Sequence, residues 1–199
     1  MARGQKIDHQ ELHATILTVA TQIIKDEGMK SLSIRKVAKE IGCAVGTIYN
    51  IFSSIDDIFL TINAATMTRL YKQLQQEAQE ESDPLTASVM LGRAYVAFSR
   101  DNYHLWSLLV DHKLQPGSTL PVNVQEKIDD LFLLVSGMVA PLVSNDKGKA
   151  DLAAKVLWAS LHGVCSLAMS GKLDTVKAEA TDVLAESLVR NYLQGLQVK

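Results

Sequence analysis

Apolar residues recur at three- and four-residue steps along nearly the whole chain, and little interrupts them. Only four prolines and eleven glycines occur in 199 residues, and no stretch sustains the apolar–polar alternation of a half-buried strand. The pattern predicts an all-α protein. Residues 9–26 form the first amphipathic segment, with Leu12, Ile16, Val19, Ala20, Ile23 and Ile24 on one face and Gly28 as the stop. A short helix follows Ser33, a good N-cap, turns Val37, Ala38 and Ile41 inward and ends at Gly42. A third, of about two turns over 45–51, turns Ile48 inward together with Phe52. Ser54 and Asp57 then make a capping box, and Asp56 and Asp57 favour the helix dipole at the start of a long fourth helix that reaches about residue 79.

The segment Glu80-Glu81-Ser82-Asp83-Pro84 is charged, small and closed by proline, which places a boundary there or within the long helix before it. Five further helices are expected, at about 85–100, 102–111, 122–143, 149–170 and 175–194. The organisation that follows is an N-terminal domain over 1–55, opened by a polar arm over 1–8, and a C-terminal helical domain over 56–199. An apolar content of 47% with 21% charged residues is ordinary for a globular chain. The first ten residues hold no apolar core of a signal peptide, and no later apolar run reaches the roughly 18 residues that span a bilayer, so a cytoplasmic protein with no membrane partner is expected. Cys43 and Cys165, far apart in helical contexts, read as buried free thiols.

No Gly-rich phosphate loop, nucleophile elbow or HExxH motif occurs, so neither an enzyme nor a cofactor is expected. His9 and His13 sit one helical turn apart but have no third ligand near them in sequence, so no metal site is expected either. Function is carried instead by residues 33–52. A helix-turn-helix needs a first helix, a tight turn, and a second helix whose leading residues are small enough to enter the major groove of DNA. Gly42 supplies the turn, Ala44, Val45 and Gly46 present little bulk, and Thr47, Tyr49 and Asn50 offer polar groups on the face opposite Ile48 and Phe52. The net charge of −2 conceals a mild asymmetry: residues 1–55 hold seven lysines and arginines against five acidic residues. That suits a few placed phosphate contacts better than a broad basic field.

The run Leu32-Ser33-Ile34-Arg35-Lys36-Val37-Ala38-Lys39-Glu40-Ile41-Gly42, followed by Gly46-Thr47-Ile48-Tyr49 and Phe52, resembles the DNA-binding domain of the TetR family of repressors over about the first 60 residues. The resemblance implies a transcriptional regulator in which Ser33 meets a phosphate at a helix N-terminus and Arg35 meets a base edge or adjacent phosphate. It brings Val45, Gly46 and Thr47 to the bases and gives the Tyr49 hydroxyl to a phosphate, with Ala44 beside them at the DNA and Asn50 a weaker contact. Two positions depart from the family pattern. Ile51 replaces a common histidine, and Ile55 replaces a lysine that clamps a phosphate at the start of the fourth helix.

The C-terminal part carries Trp158-Ala159-Ser160-Leu161-His162-Gly163-Val164, similar to the Trp-His-Gly signature of one TetR-like subgroup. In such proteins this domain encloses a cavity for a small apolar or aromatic effector, and Tyr95, Phe98, Tyr103, Trp106, Trp158, His162 and Met169 are the residues here that would line one. Each also reads as plain core. So weakly anchored a DNA module implies a homodimer on a palindromic double-stranded operator, with the last two helices as the dimer contact. Val156, Leu157, Leu161, Val164, Cys165 and Ala168 would carry one half of that contact, and a stripe from Val176 to Tyr192 the other. The alternative is a helical ligand-binding or adaptor protein with a vestigial helix-turn-helix, suggested by Ile51 and Ile55.

Overall fold

A computed structural model describes residues 9–114, 117 and 119–197. The arm, with Arg3 and Lys6, lies outside the described residues. Among them the secondary structure is entirely helical: α1 (His9–Glu27), α2 (Ile34–Ile41), α3 (Val45–Tyr49), α4 (Ile55–Gln79), α5 (Pro84–Asp101), α6 (Tyr103–Asp111), α7 (Val122–Val139), α8 (Lys147–Met169), α9 (Lys172–Thr175) and α10 (Thr181–Gln197).

The chain divides into two compact units, and neither is a continuous stretch. One comprises residues 1–66 and 102–124, the other residues 67–101 and 125–199. The sequence puts the boundary near residues 80–84 or within the long helix before them, with the N-terminal domain drawn as 1–55. In the structure the division falls inside α4, because Ile58, Phe59 and Ile62 of its first turns are buried in the same apolar cluster as α1–α3. Helix α6 joins that cluster through Leu105 and Leu108, which are 2% and 0% exposed.

Helix α1 buries Leu12, Ile16, Ala20, Ile23 and Ile24, as its periodicity requires. It ends where Gly28 turns left-handed at φ 82° and its N–H bonds the Ile24 carbonyl. Helix α2 starts on Ser33, whose Oγ accepts from the Lys36 N–H at 3.2 Å, and stops on Gly42, left-handed at φ 78° with its N–H turned back to the Ala38 carbonyl. The side chains at the start of α4 differ in detail from a reciprocal capping box. Ser54 Oγ accepts from the Asp57 N–H, but the Asp57 carboxylate reaches one residue further back, to the Ser53 N–H at 2.9 Å and the Ser53 hydroxyl.

In the second unit α5 packs against both α8 and α10, and α8 against α10. Helix α7 ends earlier than the sequence suggests. Pro141 has no N–H to continue the ladder, so residues Ala140–Val143 tighten into a 3₁₀ turn that closes on left-handed Ser144. The last helix also differs. Residues 172–175 form a single isolated turn, Lys177 takes a left-handed φ of 54°, and α10 begins only at Thr181. Val176 and Ala180 therefore lie outside the helical stripe expected to hold them, and Val176 is 70% exposed. Helix α8 is a further correction. Its 23 residues reach a mean hydropathy of 1.4 over 18 positions, long and apolar enough by length and composition to cross a bilayer.

Gly92 permits a close approach of α5 to α10. A Cβ placed there would stand 2.9 Å from Cγ2 of Val189, itself only 1% exposed and stiff at χ1. Gly92→Ala is expected to destabilise the protein by about 1–3 kcal/mol through overpacking, despite alanine's better helix propensity. Urea unfolding followed by circular dichroism measures this; a midpoint equal to or above that of the parent refutes it.

Candidate nucleic-acid interface and effector site

Five residues of α3 would not hold a helix by themselves, so what fixes them is the core behind them. Ile48 is fully buried and Phe52 is 5% exposed, both in the cluster formed with α1, α2, α4 and α6. The imidazole of His13 on α1 stacks on Phe52 at 4.8 Å, with the rings inclined by 23°. That gives His13 a packing role which the His9/His13 spacing does not suggest. The opposite face of α3 is open: Ala44, Val45, Gly46, Tyr49 and Asn50 are exposed, Val45 by 38% and Tyr49 by 53%, while Thr47 is half-buried.

Arg35 is exposed on α2. The Nζ of its neighbour Lys36 lies 2.5 Å from the Glu27 carboxylate and ties α2 to the end of α1. Ser33 accepts a bond as the α2 cap, which leaves its O–H available to donate to an anion. The eight residues that the sequence nominates for DNA thus occupy the α2 N-terminus and the exposed side of α3. The two apolar departures have a structural reading: Ile51 and Ile55 are partly buried against the helix-turn-helix core.

In the second unit three of the seven nominated effector residues come together. The Tyr95 hydroxyl of α5 lies 3.1 Å from Nδ1 of His162 on α8, and the Trp158 ring lies 5.6 Å from the His162 ring. Phe132 of α7 meets Trp158 edge-on at 5.8 Å. Sequence reading missed Phe132, whose signal was the run Leu131-Phe132-Leu133-Leu134. Trp158 is 50% exposed, Phe98 is buried and Met169 half-buried. Tyr103 and Trp106 belong to α6 and so to the other unit, Tyr103 being 44% exposed and Trp106 buried.

The outward side of α8 also carries apolar and small residues. Leu152, Val156, Ala159, Gly163 and Leu167 follow one another at helical spacing, and Leu152 and Leu167 are 62% and 47% exposed. By contrast Leu157, Leu161 and Cys165 are buried within the unit, so half of the stripe nominated for dimer contact is internal core. Burial pushes the Cys165 thiol above its ordinary range.

An all-helical chain with a capped two-helix reader at one end of its sequence and a larger helical region after it defines a class of DNA-binding regulators, and comparison with known proteins gives the family. The sequence model of the bacterial regulatory proteins of the tetR family matches residues 16–62, and that of the tetracyclin repressor-like C-terminal domain matches residues 88–192, more than half of the chain. The chain belongs to the TetR family. It is 32% identical over 87 residues to the HTH-type transcriptional regulator AcrR of Shigella flexneri, an alignment that covers 43% of this chain and only 40% of AcrR. Among solved structures, a protein of unknown function from Rhodococcus sp. RHA1 superposes with a TM-score of 0.79 at 24% identity, over 97% of this chain and 99% of that one. FadR from Bacillus subtilis in complex with stearoyl-CoA superposes with a TM-score of 0.66 at 16% identity, over 91% of this chain and 97% of FadR. These two likenesses are of fold.

The two thiols are expected to behave differently. In the folded protein Cys43, half-exposed, reacts with a thiol reagent, whereas Cys165, buried and held as the neutral thiol, reacts only on unfolding. Mass spectrometry after brief alkylation measures this, and equal labelling of both refutes it.

Proposed function

We propose that the protein is a cytoplasmic, sequence-specific DNA-binding transcriptional regulator, a repressor released by a small apolar or aromatic effector. The observation that carries this is the α3 face. Ala44, Val45, Gly46, Tyr49 and Asn50 stand exposed over a fully buried Ile48, which is how a helix is held when its outer residues must enter a groove. Arg35 meets a base edge or an adjacent phosphate and the side chains at the start of α3 approach bases, while Ser33 and Tyr49 position the protein on phosphates and Asn50 makes a weaker contact. The packing of Ile51 and Ile55 against the helix-turn-helix core gives both apolar departures a role other than loss of DNA binding, which favours this over the adaptor reading. The absent lysine at Ile55 still removes one phosphate clamp, so binding should be less steep in salt by about one unit of slope.

Dimerisation is proposed through α8 and α10. The outward line Leu152, Val156, Ala159, Gly163 and Leu167 has the small residues in the middle that let two helices cross closely. It also accounts for the hydropathy of α8 without a membrane. The effector site is proposed at Tyr95, Phe98, Trp158, His162 and Met169 of the second unit, where an aromatic wall meets a Tyr–His hydrogen bond that fixes a ligand's polar end. The occurrence of stearoyl-CoA in the FadR structure supports a long apolar ligand as one candidate. Effector binding shifts the population toward a spacing of the two recognition helices that no longer matches grooves about 34 Å apart, with α4 as the lever.

Two measurements test this. On the duplex that the protein selects from a random library, Arg35→Ala is expected to erode discrimination by about 1–3 kcal/mol, whereas Tyr49→Phe weakens binding to all duplexes alike. Selection of no sequence sinks the regulator reading. In sedimentation velocity the parent runs as a dimer and Gly163→Arg as a monomer; a monomeric parent sinks the dimer and the induction mechanism with it.

A further inference from the structure

Asp56 and Asp57 open α4 side by side, yet their carboxylates do different work. Asp57 turns back along the chain to Ser53, closing the short connection that leads from α3. Asp56 turns sideways. Its Oδ1 lies 3.0 Å from Nε2 of His112, the C-cap residue of α6, 56 positions later in the chain. A carboxylate can only accept, so Nε2 carries the proton. The His112 side chain is 7% exposed and Asp56 26% exposed, which shields the contact from water. The imidazole also rests on Phe59, one turn further along α4, at 5.2 Å.

Helix α6 is itself anchored at its other end. Leu105 and Leu108 lie in the core that holds Ile48 and Phe52, and the His104 ring packs so tightly over Gly28 that a Cβ there would come within 3.1 Å of Nδ1. The start of α4 is therefore gripped from two directions, by Ser53 from the α3 side and by His112 from a helix fixed to α1.

We propose that His112 is a positioning residue for DNA recognition, latching the first turn of α4 through Asp56 and so setting the angle at which α3 is presented. The proposal rests on the DNA-binding reading of α2 and α3. Base contacts need that angle and phosphate contacts need it less, so the latch governs the ratio of specific to non-specific affinity. His112 itself does not touch DNA.

The test uses the full-length protein and the duplex selected by the wild type from a random library, with a scrambled duplex as reference. His112→Leu and Asp56→Ala are each expected to lower the specific-to-non-specific ratio about tenfold, the usual size for loss of a shielded hydrogen bond to a charged group. The double variant is expected to fall no further than either single one, as for two halves of one contact. His112→Gln, which keeps an N–H donor at similar reach, is expected to restore most of the ratio. A purely structural histidine would lower stability and leave the ratio measured on folded protein unchanged. An unchanged ratio in Asp56→Ala, additive losses in the double variant, or no rescue by Gln overturns the latch while leaving the DNA-binding reading intact. If His112→Leu fails to fold, Asp56→Ala and His112→Gln decide the matter alone. A wild type that selects no duplex overturns both readings together.

Discussion

The burial of Ile48 and Phe52 is the interaction on which the recognition surface depends. A five-residue helix has too few backbone bonds to persist, and the polar and small residues of its outer face contribute almost nothing to holding it. Most of its order comes from side chains set into a core that five helices share, Ile48 and Phe52 above all. Small changes behind α3 can therefore move its front, and groups far from the bases, such as His13 stacked on Phe52, have reason to be where they are.

Much of this was legible in the sequence because it rests on local rules. Ser33 as cap, Gly28 and Gly42 as stops, the inward set on α1 and the split of α3 into a buried and an open face all follow from spacing and residue type, and the structure places each so. What escaped sequence reading depends on partners distant along the chain. Nothing in Tyr103–Asp111 marks Leu105 and Leu108 as part of the N-terminal core, since an apolar stripe does not name the surface it will meet. The break at Lys177 escaped for a different reason. No glycine or proline flags it, and apolar Val176 and Ala180 sit at positions that extend the helical period of α10 backward.

The candidate effector residues divide along the same line. Tyr95, Trp158 and His162 could be nominated from residue type and resemblance, and the structure brings them together with Phe132. Tyr103 and Trp106 carry the same chemistry on a helix whose buried side serves the other unit. Apolar exposure on α8 follows a related logic. A helix that buries one side in its own unit and carries Leu152, Trp158 and Leu167 on the outside has few polar positions left, and its composition then resembles that of a bilayer span.

The discontinuity of the N-terminal unit bears on how such a chain can be assembled and recombined. Its core is incomplete until residues 105 and 108 have been synthesised, so the first 66 residues leave the ribosome with an apolar surface still open and wait for some forty more before they can close it. For the same reason the reader is not a cassette. Joining residues 1–55 to a foreign regulatory half would leave behind the helix that finishes the core, and a functional exchange of halves must carry α6 with the DNA-binding side or supply a matching one.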